Sequence, residues 1–170
     1  MGITVLNRRH ILTVLTASFL TPQMAFGEEY IDLDWVDLLP DGEGSLPPEL
    51  LALTTDHTKT NQSTQQAASS GARTDWNGKI VRLPGFIVPL DYSGTGVTAF
   101  ILVPFVGACI HVPAPPANQL VFVTTSIPYD SNGLYEPVNV IGMFGTSSLK
   151  TQLAEISYAL SADQIVPYES

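Results

Sequence analysis

The chain has 170 residues, 45% of them hydrophobic, and its 16 acidic against 7 basic side chains give a net charge of −9. That length suits a single domain with a core of its own, and a charge of that sign excludes attraction to nucleic-acid phosphate or to anionic lipid. A single cysteine excludes an internal disulfide, so the fold has to rest on burial alone.

Residues 1–27 read as a signal peptide. Arg8 and Arg9 supply a positive start, Ile11–Leu20 an apolar run, and Ala25-Phe26-Gly27 a small-x-small exit directly before Glu28 and Glu29. A spanning helix needs roughly 20 apolar residues, about twice this run. The expectation is therefore export to the periplasm with cleavage near Gly27. Arg-Arg-His-Ile-Leu at 8–12 suits either a twin-arginine or an ordinary secretory route. No cysteine stands near the exit, so the exported chain is expected to carry neither a lipid anchor nor a transmembrane segment.

Residues 28–75 form an acidic lead-in and a polar linker. Ile31, Leu33, Trp35 and Leu38 or Leu39 predict a short element, a helical turn, docking through Trp35. Asp41-Gly-Glu-Gly44 and Pro47-Pro48 break the chain, and Leu50–Leu53 is a small apolar patch. Residues 54–74 are Thr, Gln, Ser, Asn and Ala, too polar to offset the entropy of ordering by burial.

A β-domain is expected over 76–170. Lys79–Leu90 is rich in β-branched and apolar residues, with a bulge or bend predicted at Pro84-Gly85. Asp91–Gly96 reads as a hairpin loop, Val97–Phe105 as a second strand and Leu120–Thr125 as a third. Asn132-Gly133 is a turn signal, and Pro137–Phe144 gives a fourth strand. Leu149–Leu160 mixes helical and strand spacing, which predicts a helical or loop lead-in and then a fifth strand. The fold class is mainly β: a small five-stranded OB-like antiparallel barrel or sandwich with a short helical N-terminal segment. Trp76, Phe86, Phe100, Phe105, Phe122 and Phe144 are its expected core aromatics.

Chemistry concentrates between two strands, in Gly107-Ala-Cys-Ile-His-Val-Pro-Ala-Pro-Pro-Ala-Asn-Gln119. In an extended chain residues two apart face the same side, so Cys109 and His111 can converge on one ion, and zinc accepts thiolate with imidazole. Pro113, Pro115 and Pro116 stiffen the loop. Asn118 and Gln119 can bond loop carbonyls or orient His111. Zinc takes three or four protein ligands, and Asp91, Asp130 and Glu136 are the carboxylates available to complete a set. Two other readings stand beside this one: a buried structural Cys109 with a hydrogen-bonded His111, and a Cys109 activated as a nucleophile by its neighbour. No Cys-x-x-Cys, nucleophile elbow or phosphate-cradling loop is present.

Asn77–Leu90, Leu102–Gln119 and the Asp34-Trp-Val-Asp-Leu-Leu-Pro40 entry together resemble a bacterial family of exported domains of unknown function, DUF3299. The resemblance implies a periplasmic protein or lipoprotein, in some members alongside ABC-type transporter components linked to zinc supply, and it implies no reaction. Carried over, it makes Cys109 and His111 candidate metal contacts. The chain departs from the lipoprotein members in lacking an anchoring cysteine, and it has Ala114 where a further loop proline is common. The resulting expectation is a non-enzymatic periplasmic accessory protein that binds zinc in support of an envelope transporter component. The alternatives are a metal-free interaction module docking a membrane partner, and a thiol-dependent redox protein using Cys109.

Overall fold

A computed structural model describes residues 29–40, 66–108 and 114–168. The expected signal peptide, the segment 41–65 and the pair Cys109 and His111 lie outside the described residues.

Among the described residues there are six strands: β1 (Ile31–Asp32), β2 (Ile80–Ser93), β3 (Gly96–Val103), β4 (Val121–Tyr129), β5 (Pro137–Lys150) and β6 (Glu155–Pro167). The sheet runs β1-β2-β3-β4-β6-β5, and β2 also pairs with β5. The last five strands therefore close into a barrel, with β1 added outside the ring. The Greek-key order is that of the expected OB-like barrel. Closure leaves the ring without an unpaired edge strand. The barrel is not wholly antiparallel: β4 and β6 run parallel, as do β1 and β2.

Strand alternation sorts the apolar residues onto two faces. Val81, Leu83, Ile87, Phe100, Leu102, Val121, Val123, Val138, Val140, Phe144, Tyr158 and Leu160 fill the interior. Val88, Ile101, Val103, Leu120 and Ile156 belong to a second cluster, with Phe86, Leu90, Phe105 and Phe122 packed against it. Of the expected core aromatics, Phe100 and Phe144 are fully buried; Trp76, Phe86, Phe105 and Phe122 are half-buried.

Pro84 causes neither a bend nor a bulge. The β2–β5 register runs unbroken from Ile80↔Met143 to Phe86↔Pro137. The Arg82 carbonyl accepts from Leu33 and the Pro84 carbonyl from the Trp35 indole, so even-numbered residues of this stretch face away from β5. The proline's missing N–H falls in the gap between β1 and β3, where no ladder bond is lost. The irregularity of β2 comes later, between Pro89 and Tyr92, against β3. The hairpin loop is tighter than Asp91–Gly96: Ser93 already pairs with Gly96. Gly142 sits opposite a bulge of β6, where Asp163 is the extra residue. A Cβ on Gly142 would overlap the Ser161 carbonyl oxygen and the Ala162 backbone.

No helix precedes the fifth barrel strand. β5 continues to Lys150 and pairs Leu149 with Ile156 across a tight turn. The Thr151 hydroxyl accepts the Ala154 N–H at 3.0 Å, and the Thr151 N–H donates to the Ala154 carbonyl at 2.9 Å. A threonine that ties its own turn overrides the helical spacing of Leu149, Leu153 and Ile156.

The lead-in is part of the same packed body. Trp35–Leu38 is one turn of 3-10 helix opened by a capping box between Asp34 and Asp37. Leu33 and Leu38 join the interior cluster, and the Trp35 indole N–H bonds the Pro84 carbonyl at 2.8 Å. Residues 66–75 follow the barrel through polar contacts: the Gln66 amide bonds the Glu155 backbone in both directions, and the Arg73 N–H bonds the Tyr158 hydroxyl at 2.7 Å. Composition does not register such order because it comes from hydrogen bonds and not from apolar burial.

Candidate functional site

Residues 104–108 and 114–120 lead out of β3 and back into β4, across the second apolar cluster. Ala108 is fully buried, and it and Ala114 both pack in that cluster. The described residues on either side of 109–113 thus rest against the same apolar cluster.

Each end is also held by hydrogen bonds. The Tyr135 hydroxyl donates to the Ala108 carbonyl at 2.8 Å. On the return side Ala67 N–H reaches the Ala114 carbonyl, and the Gln66 amide donates to the Pro115 carbonyl at 2.8 Å. A 3-10 turn at Ala117–Gln119 then delivers the chain to β4, with Gln119 N–H bonding the Pro116 carbonyl at 2.8 Å.

Asn118 and Gln119 are almost fully buried, at 1% and 0% exposed. The Asn118 amide donates to the Ser70 hydroxyl, and the Gln119 amide to the Trp35 and Asn118 carbonyls, each at 3.0 Å. They bind the loop's return to the lead-in. Their acceptor atoms, Asn118 Oδ1 and Gln119 Oε1, are buried and meet no donor among the described residues. A buried acceptor without a donor is costly, which makes these two oxygens suited to receive an N–H.

The three carboxylates have different roles. Asp91 is exposed on β2, where its Oδ1 accepts the Tyr92 N–H at 2.8 Å. Asp130 is exposed. Glu136 is buried, and its carboxylate accepts from the Tyr129 and Ser131 hydroxyls and from the Asn132 backbone and side chain, at 2.7–2.9 Å. Burial works against the charge on Glu136, but the Ser131, Asn132 and Tyr129 donors outweigh it and hold the carboxyl below its ordinary range. Burial, then the bond to Glu136 and its charge, push the Tyr129 phenol up to about 12. With four donors around it, Glu136 acts as the staple of the 129–136 turn. Among the described residues, no three His, Cys, Asp or Glu side chains gather where they could hold a metal ion.

Sequence reading missed Tyr135, Gln66 and Ser70. The two polar residues are indistinguishable from the rest of a Gln- and Ser-rich tract. Tyr135 adopts a left-handed backbone, φ 61°, which tyrosine does not advertise as glycine or asparagine would.

Comparison with known proteins bears on this frame. Residues 35–167 match the family model described as protein of unknown function (DUF3299). The chain belongs to the DUF3299 family. It is similar to the crystal structure of a DUF3299 family protein from Pseudomonas aeruginosa PAO1, with 36% sequence identity and a TM-score of 0.67 over 84% of this chain and 98% of that one. No curated protein matches the sequence significantly. The DUF3299 match takes in the lead-in turn, the barrel and the 109–113 segment, and begins after the stretch read as a signal peptide. Among the described residues no helix is long and apolar enough to cross a membrane.

Proposed function

We propose that this DUF3299 protein is a periplasmic accessory protein that binds a transition metal, zinc above all, through Cys109 and His111, in support of an envelope ABC-type transporter. The observation that carries the reading is the pinning of both ends of the segment: Ala108 and Ala114 pack in one cluster, and each carbonyl is held by a hydrogen bond. A segment fixed at both ends loses little conformational entropy when its side chains engage a ligand. Thiolate and imidazole suit zinc or another late transition metal. The buried oxygens of Asn118 and Gln119 fit the same chemistry, because a metal-bound imidazole needs an acceptor for its second N–H. Remaining positions on the metal fall to a carboxylate, to water or to a residue of a partner. Export rests on the leader-like residues 1–27.

Elemental analysis of the purified exported protein tests this directly. About one zinc per chain is expected, and none in a variant carrying Cys109→Ser and His111→Ala together. Failure of the folded wild-type protein to take up zinc at micromolar concentrations would end the metal reading.

A second reading, a docking module without metal, draws on Val106, 61% exposed in the turn ahead of Ala108. It predicts a membrane partner whose capture survives both substitutions and is lost on Val106→Asp.

A further inference from the structure

We infer that the barrel end where β2, β4 and β6 finish and β3 and β5 begin is a docking surface for a basic segment of a partner protein that carries apolar anchors. This goes beyond the metal reading and does not depend on it. The strand directions bring the β2–β3 hairpin, the 129–137 turn and the end of β6 to this one end. Tyr92, Ile127, Leu134, Val166 and Tyr168 stand exposed there, and Ile127 is the most open, at 74%. The backbone holds Ile127 out. The β3–β4 register steps from Val97↔Tyr129 to Ala99↔Thr124, which sets residues 125–128 against Thr98 alone. The Thr125 hydroxyl locks this excursion: it accepts the Ile127 N–H at 3.3 Å and donates to the Ile127 carbonyl at 2.9 Å. Pro128 then closes on Gly96 so tightly that a Cβ there would overlap the proline. Leu134 and Tyr168 line one notch of about 340 Å³, with Pro137 and Pro167. Apolar side chains exposed together and rimmed by charge mark a site of association.

Charge selects the occupant. Asp91, Asp130 and Asp163 are exposed at this end. Asp91 precedes Tyr92, Asp130 follows the strand that carries Ile127, and Asp163 comes directly after the last β4–β6 pair, Thr125↔Ala162. Among the described residues, the basic side chains lie at the other end of the barrel. Arg73 pairs with Asp75, Lys79 lies over the Trp76 ring and Arg82 pairs with Asp32, all around the start of β2. Lys150 pairs with Glu155 at the turn from β5 to β6. An acidic rim repels an anionic lipid surface, and it repels a second copy of a chain whose net charge is −9. A polypeptide with lysine or arginine spaced between apolar side chains satisfies both features at once. Its apolar groups fill the notch and cover Ile127, and its cations face the three carboxylates. The exposed rings of Tyr92 and Tyr168 add a second attraction for those cations.

The experiment uses the full exported chain and, as probe, a short fluorescent peptide of lysine, leucine and glycine, with a counterpart in which glutamate replaces lysine. Wild type should bind the lysine peptide and not the glutamate one, and rising salt should weaken that binding. Affinity should fall about tenfold when Ile127→Ser and Tyr168→Ser are combined, the scale of a lost apolar anchor. It should fall by a similar factor when Asp91→Asn, Asp130→Asn and Asp163→Asn are combined. All five positions are exposed, so both variants should melt with wild type. Val106→Asp, in the turn after β3, should bind the peptide as wild type does, which separates this surface from the one in the second reading above. A lysine peptide that does not bind, or that binds both variants as it binds wild type, overturns the inference. So does a wild-type dimer in sedimentation that Ile127→Ser dissolves, because the face is then a self-contact. Tighter binding of wild type to phosphatidylcholine vesicles than to the peptide, lost in the same serine variant, overturns it in favour of a lipid contact.

Discussion

Four donors converge on one buried carboxylate at Glu136, and the cost of disturbing them is local and legible. Glu136→Gln presents an NH2 group where two donors already point. The loss should be about 1–3 kcal/mol, the penalty for leaving buried polar groups unpaired. The acid dependence has a definite sign. Because the folded carboxyl titrates below its ordinary value, its stabilisation is complete above the unfolded pKa and disappears as pH falls through the folded one. Urea unfolding between pH 7 and pH 3 should therefore show a smaller acid loss for Glu136→Gln than for wild type; parallel curves would refute the assignment. Tyr129, raised to about 12, works at the other extreme. Its contribution is intact below pH 10 and is lost as pH rises through the folded value.

At the scale of an element, glycines decide where strands touch. Gly142 lies where β5 approaches β6 so closely that a Cβ would meet backbone, which cannot move aside as a flexible side chain does. Gly142→Ala should cost about 1–3 kcal/mol or more, as overpacking does. Three residues on, a Cβ on Gly145 would find its nearest neighbour at 3.8 Å. Gly145→Ala should stay within about 0.5 kcal/mol of wild type, as a substitution that meets ordinary space does. Thermal melts of the pair separate close strand approach from glycine flexibility, since only the first distinguishes the two sites.

For the whole molecule, closure of the ring and the lead-in belong together. Leu33 and Leu38 sit in the barrel interior, and the Tyr158 hydroxyl bonds the Leu38 carbonyl at 2.7 Å. A chain starting at Trp76 should be markedly less stable than one starting at Glu28, because it exposes the wall that these leucines cover. Losing one buried leucine alone costs about 2–5 kcal/mol. Chemical denaturation of the two chains checks this; equal midpoints would mean that the lead-in is an ornament. The same comparison probes the loop, since Gln119 is held by the Trp35 carbonyl and Asn118 by Ser70.

The sequence by itself determined the class of fold and most of its strands. Alternating apolar residues in 80–90, 97–103 and 121–125 have few ways to be buried other than as a two-faced β-wall. It also singled out the Cys109–Gln119 run, because prolines flanking a thiol and an imidazole are conspicuous in one dimension. Tertiary structure decided the rest. The parallel pairing of β4 with β6, the harmlessness of Pro84 and the strand beyond Phe144 depend on which neighbour each backbone edge meets, and local composition does not encode that. Gln66, Ser70, Trp35 and Tyr135 brace the flanks of the loop from 27 to 84 residues away. Hydrogen bonds between such distant residues exist only once the barrel has closed, so no window along the chain contains both partners.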